Sequence, residues 1–229
     1  MATLITINVK NNNPFAQKFF FFQQPAIYTG GAKVYSNSLY SNTLLPNAES
    51  GARLTFQLLL QYCAGAQSQA CVPVVGQPCG QLSAIQPIDL TPNPTAATPT
   101  TVIANTTNMT VAPSLGLSQP TSTEGVQPGA FRIVVPTFDA NVGRYSVGSA
   151  VTTPSGGITL SSFTSACPTT NIDCQPVLKF YVQTGGYQPG VVMNFTSSSI
   201  GAALCDATNG FTTFDVVYNS DGTWASSPA

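Results

Sequence analysis

Histidine is missing altogether from this 229-residue chain, and charge is scarce: 7 Lys+Arg stand against 8 Asp+Glu, for a formal net charge of -1. A Ser-His-Asp or Cys-His site needs an imidazole that accepts a proton near neutral pH, and the common catalytic zinc sites use His for at least one ligand, so these mechanisms are excluded by name. Seven basic residues cannot form the patch that grips a phosphate backbone, which argues against nucleic acid as a partner. Long apolar runs are missing too. Phe19-Phe20-Phe21-Phe22 is the nearest candidate and is stopped by Gln23-Gln24-Pro25, far short of the roughly 18 residues of a membrane helix, so no membrane insertion is expected. The opening MATLITINVK has no basic region leading into an apolar segment, as a cleaved signal peptide would. The expectation is a cell-surface or extracellular protein that travels by a route without such a peptide, with a cytoplasmic location as the alternative.

Charged residues make up 7% of the chain, where an ordinary domain carries about 25%. The surface must therefore be covered by neutral hydrogen-bonding groups, supplied by 21 Ser, 28 Thr, 15 Asn and 15 Gln. The same shortage leaves little repulsion between copies, which favours self-association. A hydrophobic content of 43%, with 13 Phe and 8 Tyr, is enough for a real core and argues against intrinsic disorder.

Period 2 dominates the apolar pattern. In Leu4 to Lys10, Ile5, Ile7 and Val9 share one face; over 52 to 62, Ala52, Leu54, Phe56, Leu58, Leu60 and Tyr62 alternate with Arg53, Thr55, Gln57, Leu59 and Gln61. A helix would scatter those six side chains around its axis, whereas a strand sets all six against one core. The same logic predicts strands near 131–135 (Phe131, Ile133, Val135), 176–184 (Leu178, Phe180, Val182), 190–196 (Val191, Met193, Phe195) and 211–218 (Phe214, Val216, Tyr218). Thr-, Ser- and Val-rich runs at 100–111, 144–152 and 158–163 suit a pleated surface. Eighteen Pro and nineteen Gly leave room for a short helix only in a connection. The fold class is all-β, an antiparallel β-sandwich or jelly-roll-like barrel of roughly ten to thirteen strands with long Pro/Thr-rich loops.

Those loops are Asp89 to Thr100, with three prolines in its centre, and Pro113 to Pro128. A domain boundary within 91–100 or 113–128 is disfavoured, because neither side has its own set of strands and the charge does not shift across them. Residues 1–229 are therefore read as a single β-domain. Asn219-Ser220-Asp221-Gly222-Thr223-Trp224 has the chemistry of a hairpin turn, since Asp-Gly accepts positive φ.

Cysteines stand at Cys63, Cys71, Cys79, Cys167, Cys174 and Cys205, and all but Cys63 adjoin turn-forming residues. That placement favours crosslinks over core filling, with Cys71–Cys79, Cys167–Cys174 and Cys63–Cys205 as one pairing among fifteen, and at least two disulfides are expected. Their spacing does not suit a tetrahedral thiolate site. Asn105, Asn108 and Asn194 open sequons, which in a chain so rich in Asn and Thr arise by chance. Asp206, Asp215 and Asp221 are the acids that could approach one another as a hydrolytic pair. Asp206 with Asn209 could hold calcium but reads more simply as an Asx turn. Tyr28, Tyr35, Tyr40, Tyr145, Tyr187 and Trp224 lie beside Gly, Ser or Asn, as rings that meet a sugar or a protein surface do.

In composition alone, the chain resembles durable surface and coat β-proteins, and equally adhesins, lectins and fibre subunits. No catalytic residue, metal ligand or cofactor is assigned. The expected function is non-enzymatic: a structural, self-assembling protein whose partners are copies of itself. Glycan binding by a carbohydrate-binding module is the alternative, and a carboxylate-dependent hydrolase is the weaker one.

Overall fold

The computed structural model describes residues 3–31, 33–93, 102–152 and 157–229. They form four sheets that pack face to face. Sheet 1 runs in the order β19 (Trp224–Pro228), β18 (Thr213–Tyr218), β1 (Thr3–Asn11), β6 (Leu54–Leu60), and sheet 2 in the order β17 (Ala203–Asp206), β15 (Lys179–Thr184), β2 (Gln17–Gln23), β5 (Tyr40–Leu44). Between them lies one core. β1 contributes Ile5, Ile7 and Val9, and β6 places Leu58, Phe56 and Leu54 directly opposite. Phe19 and Phe21 of β2 come from the facing sheet, where Phe21 stacks on Phe56 at 4.7 Å between ring centroids. Thr55, Gln57 and Leu59 point outward, as the alternation predicts.

Sheet 3 comprises β10 (Gly116–Leu117), β9 (Thr106–Thr110), β11 (Phe131–Val134), β14 (Asn171–Gln175) and β3 (Ile27–Thr29). Sheet 4 comprises β16 (Val192–Met193), β4 (Val34–Asn37), β13 (Ile158–Ser165), β12 (Tyr145–Thr152), β7 (Cys63–Gln69) and β8 (Gly80–Pro87). Phe131 and Ile133 meet Ala64, Ala66 and Val147 in the core between these two sheets. The opposite face of sheet 4 is covered as well, around Leu160, Phe163, Val192 and Cys79. β12 and β13 are therefore buried on both faces, and several of their hydroxyls lie inside: Ser162 Oγ accepts the Ala26 N–H at 3.0 Å, and Ser161 Oγ donates to Ser149 O at 3.3 Å. The hydroxyl residues are thus not only surface cover, because a hydroxyl that finds a backbone partner is buried at little cost.

The all-β expectation holds, with corrections. Sheets 2 and 4 are antiparallel as expected, but sheets 1 and 3 are mixed: β1 pairs parallel with β18, and β9 parallel with β11. A parallel pair needs a long crossover, and the first of these uses nearly the whole chain. The strands number nineteen among the described residues, several of them two to four residues long, which exceeds the expected range. The predicted strand over 190–196 shrinks to Val192–Met193, because Asn194 caps a short helix, α2 (Phe195–Ser199), by accepting the Ser197 N–H at 3.1 Å. α2 and α1 (Asn47–Ser50) both sit in connections, where the Pro and Gly spacing leaves room for them. Of the two long loops, 94–101 lies outside the described residues, while 113–128 contains β10 and a bridge from Thr121 to Thr106. The β18–β19 hairpin turns at Gly222, at φ 84°, as its Asp-Gly chemistry predicts.

Candidate functional site

All six aromatics singled out in the sequence pack against other side chains. Tyr28 donates its hydroxyl to Ser162 O at 2.6 Å and accepts the Ser149 N–H at 3.1 Å, and burial of that hydroxyl holds its pKa well above the usual value. Trp224 lies edge-on to Phe19 and packs on the first core, as does Tyr40. Tyr145 meets Phe138, and Tyr187 meets Phe20, each in a T-shaped contact. Tyr35 stacks on Phe163 and carries the Lys33 ammonium 5.0 Å above its ring centroid. The aromatic side chains left open to solvent are others, Phe15 and Phe211. Phe15 sits in the β1–β2 turn and Phe211 in the loop before β18, where no periodic pattern marks a ring as outward.

The three acids are each held by their own neighbours. Asp206 accepts from the Thr208 hydroxyl at 2.5 Å and backbone N–H at 3.0 Å, and pairs with Lys179 at 3.2 Å. The Thr208 bonds, with a smaller contribution from Lys179, lower its pKa. Asp221 is lowered in the same way by the Thr223 hydroxyl and N–H. Asp215 faces out of sheet 1, accepting from Asn8 Nδ2 at 3.2 Å with Arg53 at 3.9 Å. The Asx turn expected at Asp206 is therefore what forms, and no cluster of three metal-ligating side chains occurs among the described residues. Of the sequons, Asn105 is buried and bonded to Thr91 and Thr123, whereas Asn108 and Asn194 are exposed.

The expected disulfides are not formed: all six cysteines are free thiols. Cys71 and Cys79 come within 3.1 Å, Sγ to Sγ, where a bond needs about 2.05 Å. Cys205 belongs to the core between sheets 1 and 2 while Cys63 belongs to the covered face of sheet 4, and Cys174 is buried within β14 while Cys167 is exposed. Despite their turn-forming neighbours, Cys174 and Cys205 fall inside β14 and β17 as small buried hydrophobes. Burial raises the thiol pKa values of Cys63 and Cys79 to about 11, and of Cys174 and Cys205 to about 12.

One strong ion pair escaped the sequence reading. Arg132 and Asp173 lie opposite each other on β11 and β14, bonded twice, Nε to Oδ1 at 2.6 Å and Nη2 to Oδ2 at 2.8 Å, and Arg132 also donates to Gly125 O. This pair ties the 113–128 loop to sheet 3. Residues forty-one apart in sequence carry no signal that they will meet.

The surface has one distinctive region. From Leu54 to Ile88 no residue is charged. Within it, β8 stands at the edge of sheet 4, hydrogen-bonded among the described residues to β7, and its Leu82 is exposed; Val72, Val74 and Val75 of the preceding loop are exposed too. An outward cross-strand pair of Leu4 and Leu59 adds apolar area on sheet 1. No helix among the described residues is long and apolar enough to cross a membrane. The geometry defines an all-β protein of four packed sheets, two mixed and two antiparallel. The chain matches no protein-family model, no curated protein and no solved structure.

Proposed function

We propose that this is a non-enzymatic structural protein that assembles with copies of itself, and that the pairing surface is the open edge of β8. The observation that carries this reading is that strand. Edge strands are ordinarily blunted by short length, charge, an internal proline or a bulge that twists the edge away. β8 is eight residues long, has no charge and carries Pro87 only at its end, although its pairing with β7 is irregular near Gln67–Gln69. A second β8 laid antiparallel would satisfy the free N–H and C=O groups of both, and a two-fold contact of this kind is self-complementary. The jelly-roll-like architecture and the single body from residue 1 to 229 belong to the same proposal: strands drawn from both ends of the chain into one sheet make a stiff building block. Six free thiols remove the crosslink argument for an oxidising destination, and the proposal does not depend on compartment.

Sedimentation velocity across concentration tests it. The parent protein should form larger species as concentration rises, with little change between low and moderate salt and no transition near pH 6.5, because few charge pairs and no imidazole take part. Leu82→Lys, which puts a charge on the edge strand, should shift the distribution towards monomer. A monomer at high micromolar concentration under all conditions refutes the reading.

A glycan-binding reading has one observation of its own. Exposed Phe211 stands with Asp206, Asn209 and Ser226 around a depression of about 210 Å³, and an open ring beside amide and carboxylate groups suits a sugar face. A glycan array with the parent protein and Phe211→Ala tests it. The carboxylate-hydrolase reading has no comparable observation behind it.

A further inference from the structure

A cleft of about 600 Å³ opens where β4 loses its partner. β16 pairs with β4 only at Asn37↔Val192 and Ser36↔Met193, and the chain then turns away at Asn194 into α2. Lys33 to Ser36 form one wall, Pro73 to Val75 of the β7–β8 loop a second, and Met193 to Thr196 a third. The Ser38 N–H donates to Val191 O and Ser38 O accepts from the Gly190 N–H. Ser38 and, two residues back, Ser36 thus turn their backbone groups towards β16. By the same alternation Val34 turns its N–H and C=O into the cleft, where no strand among the described residues meets them.

The side-chain lining is largely apolar, with Lys33, Ser36, Asn194 and Thr196 as its polar members. Lys33 is held over the Tyr35 ring and has no carboxylate partner among the described residues. Ser36 is 2% exposed and lines the cleft. An unpaired cation at the mouth of an apolar cavity favours an anion over a neutral or cationic guest, and the volume falls in the range of small-molecule sites.

We propose that this cleft binds a small amphiphilic anion: an aromatic or branched-aliphatic body against Val34, Val75 and Phe195, with one carboxylate or sulfonate group within reach of the Lys33 ammonium. Leu82 is not among the residues that line the cleft, so Leu82→Lys separates this site from assembly. The probes are 8-anilinonaphthalene-1-sulfonate and its uncharged counterpart N-phenyl-1-naphthylamine, titrated into the full chain by fluorescence. The sulfonate should saturate at one site per chain. Lys33→Gln should weaken it about three- to fivefold, as expected for a partly exposed ion pair, and leave the uncharged probe unchanged. Val75→Asp, a substitution on an exposed loop, should weaken both probes more than about tenfold by placing a carboxylate against an apolar guest. Leu82→Lys should change neither. Far-UV circular dichroism confirms that each variant is folded, and Lys33→Gln decides the matter if Val75→Asp is not. Non-saturable binding, or sulfonate binding indifferent to both cleft variants, overturns the site; equal loss of both probes on Lys33→Gln, or loss of neither, overturns its preference for an anion.

Discussion

Gly148 sits in β12 opposite Phe163 of β13, and a methyl group there has nowhere to go. A Cβ at this position would stand 2.8 Å from the Phe163 Cα and still closer to Ser162 O and the Tyr28 hydroxyl. The backbone of Gly148 is not in the left-handed region, so the cost of Gly148→Ala is contact rather than strain. Forcing atoms into a packed core costs about 1 to 3 kcal/mol. The soft neighbour is Tyr28, but moving it breaks its bonds to Ser162 O at 2.6 Å and from the Ser149 N–H at 3.1 Å, each worth about 1 kcal/mol. The total is about 3 to 5 kcal/mol, a fall in Tm of roughly 6 to 20 °C for a chain of this size. Urea melts followed by far-UV circular dichroism measure it. Because the hydroxyl is part of the clash, Tyr28→Phe should destabilise the parent by about 1 to 2 kcal/mol and the Gly148→Ala background by clearly less. A loss under about 1 kcal/mol, or the same cost for Tyr28→Phe in both backgrounds, would refute the packing described between β12, β13 and β3.

Leu58→Ala should cost about 2 to 5 kcal/mol, since Leu58 is 4% exposed in the core, while Gln57→Ala on the outer face should cost under about 0.5 kcal/mol; denaturant melts of the pair check the register of β6. With iodoacetamide at pH 8, mass spectrometry should find Cys167 alkylated first and Cys63, Cys174 and Cys205 only after unfolding, because the last three are buried and their thiols are pushed up to about 11, 12 and 12. The same shifts mean that the folded chain holds protons which the unfolded chain releases from about pH 8.5. Stability contributed by these groups is therefore present below that pH and lost as pH rises towards 12, visible as a falling denaturation midpoint. Asp173→Asn leaves Arg132, whose side chain is 17% exposed, without its counter-charge, and should cost about 2 to 4 kcal/mol and speed proteolysis of the 113–128 loop.

Alternation alone determined that Ile5, Ile7 and Val9, and Leu54, Phe56 and Leu58, would line a core, because a strand has only two faces and one must exclude water. It also determined the Asp221-Gly222 turn, whose backbone few other residue pairs tolerate. Phe19 to Phe22 shows where such reasoning stops. Four consecutive phenylalanines have no period, and all four are buried because β2 is covered on both sides, Phe19 and Phe21 by sheet 1, Phe20 and Phe22 by Met193 and the residues around α2. The same double cover hides Ser161 and Ser162, which composition assigns to the surface. Cys174 and Cys205, though beside turn formers, went into buried strand positions rather than crosslinks, since a neighbour's turn preference does not fix which way the thiol points. The parallel pairing of β1 with β18, the Arg132–Asp173 bond and the cleft beside β4 all join residues distant in sequence, and local pattern holds no information about which strands become neighbours. What exposes β8, and leaves Val34 and Lys33 open beside a cavity, is the order of strands within sheet 4; that order is set by how the whole set of apolar faces can be covered at once, which only the packed structure decides.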